Sequence, residues 1–277
     1  MPAIDLTRLR TRLGILLSNL GRPVGFVREL RDLFISYGDL TLPLGASPSG
    51  IKTLPTLNTP PLLNREILSA LAENCRDDPG LILQIIDLLW EQSAVEIRLL
   101  GAQLLGRLPG EYSGEVINRI KKWASNIEDA ELFPSLHQFG SLTLRKENPD
   151  AWLEMLTGWR DSPEPELVKL AIDGVIPLID DEDYQNLPAI FTFLTKLVIN
   201  LEKPYQFELL NAIEHLAKRS ENETVYFLKE MVQLTTSPDA GRFFRRTLDS
   251  FSPIKKDSIK QELRSRFALP LRDPLDS

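Results

Sequence analysis

The sequence predicts an all-α chain, an α-solenoid of about seven helix pairs. Three observations carry that prediction. The stretch Leu88–Leu108, LLWEQSAVEIRLLGAQLLGRL, reads as the end of one helix, a short polar turn and a second helix. That second helix sets Val95, Leu99, Ala102, Leu105 and Gly106 along one broad face, with Leu100, Leu104 and Leu108 beside it. A helix apolar over so wide an arc needs neighbours on two sides, as in a stack of helix pairs. The same kind of helix recurs near Glu166–Leu178, Tyr205–Ala217 and Ala240–Phe251. Strand patterning is nearly absent: Thr192–Ile199 is β-branched but keeps a helical period.

Taken in order, Ile4–Leu20 and Pro23–Ser36 form an amphipathic pair around the turn Gly21-Arg22-Pro23, where proline suits a first helical turn. The period then stops. Tyr37–Pro61 holds five prolines and three glycines, a connection long enough to be a lid or a partly ordered loop crossing the first helices. From Leu62 onward, helices follow at short intervals over Leu63–Cys75, Pro79–Trp90, Ala94–Leu108, Ser113–Ala124, Glu131–Leu144 and Asp150–Trp159. The series continues with Pro163–Ile179, Tyr184–Ile199, Pro204–Lys218, Glu221–Thr235, Asp239–Phe251 and Pro253–Phe267. Ser220-Glu221-Asn222-Glu223 has the form of a capping box, in which a serine and a glutamate satisfy each other's orphan amides. Aligned by pattern, Leu100, Leu170, Leu210 and Phe244 are equivalent, at spacings that suit a unit of about 35–45 residues. The organisation expected is one domain: a helix pair over 1–36, a Pro-rich loop over 37–61, repeats over 62–267 and a tail over 268–277.

Composition bounds the function. Hydrophobic residues make up 43% and charged residues 26%, which excludes general disorder. A lone cysteine, Cys75, excludes an intrachain disulfide and points to a reducing compartment. Two histidines, His137 and His215, lack ligand spacing, so no metal site is expected, and no cofactor motif is present. The apolar run Leu13–Leu17 is too short for a signal sequence, and nothing approaches the ~18 apolar residues of a membrane span. The expectation is a cytoplasmic protein without membrane contact.

Charge is distributed unevenly. Net charge is −7, yet residues 241–272 hold nine basic and three acidic side chains. Arg242, Arg245 and Arg246 fall on one helical face, and Lys256, Lys260 and Arg264 repeat the pattern on the next helix. Two adjacent basic stripes suit a phosphate backbone, or else the solvated cap of a terminal repeat. Trp123, Trp152 and Trp159 lie within one third of the chain among acidic residues; they suit either base stacking or a seam between repeats.

The run LLWEQSAVEIRLLGAQLLGRL, followed by IKKWASNIEDAELFPSL and WLEMLTGWRDSPEPELVKLAIDGV, resembles the bacterial DNA alkylation repair (AlkD-like) proteins. The resemblance covers about residues 80–250 and implies a right-handed solenoid of HEAT-like repeats. In that family a tryptophan, an aspartate four residues later and an arginine on a later helix line the base-excision site. The matching positions here are Ala130, Pro134, and Val168 or Lys169, of which only Lys169 carries charge; Glu131 is the nearby carboxylate. The resemblance therefore implies inherited shape with the family's reactive groups replaced. The function expected is a non-catalytic binding module that takes double-stranded DNA or a protein partner on its concave face. The competing expectation is a glycosylase that excises cationic alkylated bases, with the tryptophans stacking and Glu131 stabilising charge.

Overall fold

The computed structural model describes residues 5–38, 55–124, 132–237 and 239–267, and among these every regular element is a helix. The chain divides into two compact units, Met1–Trp152 and Leu153–Ser277. The first holds α1 (Leu6–Leu17), α2 (Pro23–Tyr37), α3 (Pro61–Leu71), the single turn α4 (Asn74–Asp77), α5 (Pro79–Trp90) and α6 (Val95–Leu105). It continues with α7 (Ser113–Ala124), α8 (Leu132–Ser135) and α9 (Leu142–Glu147), and α10 (Pro149–Arg160) spans the division.

Starts are set locally. The Asp5 carboxylate accepts from the amides of Thr7 and Arg8 at 3.0 and 3.1 Å, and Asp78 accepts from Leu81 at 3.0 Å. Prolines occupy the first turns of α2, α3 and α5, where a missing N–H leaves no bond unmade. Arg119 ties α7 to α5, donating to both oxygens of Asp87 at 2.9 and 2.8 Å.

The helix that carried the prediction is enclosed as its apolar width requires. α6 packs on α5, on α3, on α8 and on a π-helical turn, Leu136–Gly140, and it buries Ile97, Leu100, Ala102, Leu104 and Leu105. Val95 and Leu99, expected on the same buried face, stay half-exposed.

Two expected helices are each broken. Leu63–Cys75 is α3 followed by α4, and Glu131–Leu144 is α8, the π-helical turn and α9, with Glu131 outside the described residues. The second break follows from a close approach. Gly106 ends α6, and its carbonyl accepts from the Thr143 amide at 3.1 Å and the Thr143 hydroxyl at 2.7 Å. A Cβ at Gly106 would stand 1.6 Å from the Phe139 carbonyl oxygen. Only glycine lets the turn press so closely, and the helix widens where it does so.

In the second unit α11 (Pro165–Ile179), α12 (Leu187–Ile199), α13 (Gln206–Arg219), α14 (Glu221–Leu234), α15 (Ala240–Thr247) and α16 (Pro253–Phe267) form two layers. α11, α13 and α15 pack in succession, as do α12, α14 and α16, and helices adjacent in sequence pack across the layers. Short connections between neighbours enforce this alternation. The core between them includes Ile172, Leu194, Ile213, Leu228 and Phe244, all fully buried.

Pattern alignment does not survive residue by residue. Leu100 and Phe244 are buried, but Leu170 and Leu210 are half-buried, and the covered residues beside them are Ala171 and Leu209. One residue is a 100° rotation of a helix, which wide apolar faces do not resolve. The expected capping box is also absent: the Ser220 side chain makes no capping bond. Glu221, which is not the box's glutamate, accepts from the amide of Ser252 at 2.6 Å, just ahead of α16, so its carboxylate serves another helix's start.

Among the described residues no helix is long and apolar enough to cross a membrane, and no group of three or more His, Cys, Asp or Glu could hold a metal ion. Of the 37–61 loop, residues 39–54 lie outside the described residues, as does the 268–277 tail.

Replacing Gly106 by alanine should lower unfolding free energy by about 1–3 kcal/mol through overpacking. Gly114→Ala, whose added Cβ meets nothing within 4 Å, should leave it unchanged or slightly raised; urea denaturation of both variants checks the pair.

Candidate functional site

Trp90, Glu96 and Arg98, which carry much of the sequence resemblance, build a structural joint. Trp90 and Trp123 stack at 3.9 Å with planes 7° apart, and the Arg98 guanidinium lies 5.9 Å above Trp90. Arg98 donates through Nε to the Gln92 carbonyl at 2.6 Å. Glu96 accepts from the Thr56 hydroxyl at 2.7 Å and from the Leu57 amide at 2.9 and 3.0 Å. The carboxylate thus fastens the segment before α3 to the first turn of α6, where negative charge is also favoured by the helix dipole.

The three tryptophans, which suit either base stacking or a seam between repeats, are packed inside. Trp123 is 3% exposed, Trp152 0% and Trp159 7%. Trp152 meets the buried His137 edge-on at 5.8 Å. Burial pushes His137 down to about 4, and the Arg145 cation adds to that effect, so this imidazole is neutral at physiological pH. Arg145 is itself buried, donating through Nε to the Ser141 hydroxyl and through Nη2 to the Gln138 carbonyl, both at 2.9 Å. A base could reach these rings only by opening the core.

The positions that match the excision site are scattered in outcome. Ala130 and Glu131 lie outside the described residues, Pro134 is exposed on α8, and Val168 is buried. Lys169 is half-buried and pairs with Glu166 at 2.8 Å.

In the second unit, which holds Lys169, the structure shows carboxylates that sequence reading passed over. Asp173 on α11 is pushed up to about 6, first by burial and then by the charge of Glu208 on α13. The Glu208 Oε2 is buried and, among the described residues, accepts no hydrogen bond. Neither residue type nor spacing marks this pair, because thirty-odd residues separate partners that the packing of α11 on α13 brings together. Asp161 is the opposite case. Arg160 donates to both its oxygens at 2.9 and 3.0 Å and Lys196 donates at 2.8 Å, which holds it well below the usual carboxylate range. The groove of about 460 Å³ beside it, reaching Asn200, Glu202 and Tyr205, is therefore bordered by an ionised carboxylate whose charge two cations balance.

The basic stripes behave differently from the tryptophans. Arg245 from α15 and Lys260 and Arg264 from α16 converge on a basin of about 320 Å³ with Gly241, Leu263 and Phe267 in its walls. Gly241 keeps this wall low, since a Cβ there would come within 3.3 Å of the Arg245 guanidinium. Among the described residues Arg242, Arg245, Arg246 and Arg264 form no ion pair, whereas Lys260 reaches Asp257 at 3.4 Å and Lys256 pairs with Asp249 at 3.0 Å. Arg242, Arg246 and Arg264 are exposed. Three cations around one concavity with apolar walls concentrate positive potential there.

Residues 57–244 match the family model described as DNA alkylation repair enzyme. No curated protein and no solved structure matches. The matched range begins at the residue whose amide Glu96 holds and ends within α15, so α16 lies beyond it.

The raised Asp173 gives a pH test with a defined sign. Its folded value exceeds the ordinary 3.8, so the folded state binds the extra proton between pH ~4 and ~6 and loses stability as pH rises through that window. Asp173→Asn should therefore stabilise the chain by about 1–2 kcal/mol at pH 7.5, with the gain fading below pH ~4. Thermal melts of both proteins across pH read it out.

Proposed function

This chain belongs to the DNA alkylation repair enzyme family, and we propose that it is a non-excising member that binds duplex DNA through its C-terminal basic basin. The observation that carries this reading is the convergence of Arg245, Lys260 and Arg264 from two helices on one concavity. Arg242 and Arg246 on the same short helix extend the positive face. Arg245 gives its Nε to the Gly241 carbonyl at 2.8 Å, but no carboxylate pairs with these arginines among the described residues, and phosphate contacts supply affinity that does not depend on base sequence.

The non-excising part of the proposal rests on what stands at the family's reactive positions. Alanine and proline replace the stacking ring and the carboxylate, and Lys169 is committed to Glu166. Trp123, Trp152 and Trp159 serve the core, which supports leaving them out of the interface. A charge-stabilised excision needs a carboxylate or an aromatic face at the reacting sugar, and the Asp161 carboxylate is already paired with Arg160 and Lys196.

Anisotropy of a labelled duplex, titrated with the chain at salt from about 50 to 200 mM, tests this. Binding should weaken steeply with salt, and replacing Arg245, Lys260 and Arg264 together by alanine should flatten the log–log slope by about 2–3. An unchanged slope would overturn the assignment, and no binding at low salt would leave only a protein-scaffold role. Release of free base from alkylated DNA by the intact chain, lost in Glu131→Gln, would replace this reading with the excision reading.

A further inference from the structure

We propose that the groove between α12 and α14 docks a basic amphipathic helix of a partner protein. α14 presents Glu223, Tyr226, Phe227 and Glu230, which fall at i, i+3, i+4 and i+7 and so share one stripe. Phe227 meets Phe191 of α12 at 5.1 Å, and together with Pro188 these rings floor a groove of about 500 Å³. Tyr226 is 74% exposed and lines the same groove, so the apolar surface here is contiguous rather than a single scattered residue.

Charge complementarity selects the occupant. Glu223 and Glu230 are exposed, lie at the two ends of the aromatic stretch and, among the described residues, form no ion pair. Along α14 they stand about 10 Å apart, the rise of seven helical residues. A partner helix with Lys or Arg at i and i+7 and Leu at i+3 and i+4 mirrors that pattern, setting its cations on the two glutamates and its leucines on the rings. The same carboxylates repel phosphate, so nucleic acid does not suit this face. The groove shares no lining residue with the basic basin, so its occupant and DNA do not compete for the same side chains.

The test uses the full chain and two labelled, alanine-based peptides of about 17 residues, each with two leucines midway between charged residues seven apart. One carries Lys at the charged positions and the other Glu. The Lys peptide should bind saturably and about tenfold or more tighter than the Glu peptide. Glu223→Lys with Glu230→Lys should reverse that order, and Tyr226→Ala should weaken the Lys peptide by about tenfold. Should the charge reversal unsettle α14, Glu223→Gln with Glu230→Gln is expected to erase the preference in a chain of unchanged melting temperature. Equal binding of both peptides, no saturable binding, or a preference that persists in the glutamine variant would overturn the proposal. So would self-association of the chain that Tyr226→Ala abolishes, because a second copy would then be the occupant.

Discussion

α6 has almost no polar side, and a helix of that kind is stable only when enclosed. Within Met1–Trp152 its neighbours satisfy that demand from several directions at once, with α5 and α3 on one part of its surface and α8 and the π-helical turn on another. The last of these contacts is the most exacting. Backbone meets backbone at Gly106, where Thr143 supplies two donors to a single carbonyl. Helix ends leave carbonyls unsatisfied, and a buried end needs partners of this sort. The widening of the helix at Leu136–Gly140 and the placing of α9 are consequences of that one approach. Glu96 does the same work at the other end of α6, where it holds the segment leading into α3.

Leu153–Ser277 obeys a simpler rule. Alternation of α11, α13 and α15 with α12, α14 and α16 gives each layer one covered side and leaves the outer surface of its helices to chemistry. Two such surfaces carry contrasting character: arginines and lysines of α15 and α16 around a concavity, and glutamates around aromatic rings on α12 and α14. Their charges select different partners. Both sit on helices whose opposite faces are deep in the core, so the functional side chains are held by rigid elements.

Several features were legible in the sequence because they depend on periodicity. The all-helical class, most helix boundaries, the proline starts and the two basic stripes all follow from spacing along one helix at a time. The register between repeats was not, since Leu170 and Leu210 look as apolar as their buried neighbours and differ only by rotation. The tryptophans show the limit most clearly. A ring at the surface and a ring in a seam have the same sequence signature, and only the stacking of Trp90 on Trp123 and the covering of Trp152 and Trp159 tell them apart. The S-x-x-E spacing at Ser220 is likewise not enough by itself, since its serine makes no capping bond.

What the sequence determined by itself is local: which segments are helical, where they start, which faces are apolar and where positive charge accumulates. Tertiary structure alone decided which charges meet. Arg245 joins Lys260 and Arg264, Lys196 reaches Asp161, and Asp173 faces Glu208. The physical reason is that a side chain's ionisation and availability depend on its nearest neighbours and on its burial. In stacked helices most of those neighbours come from another helix, some fifteen to thirty-five residues away, a separation that no one-dimensional pattern encodes.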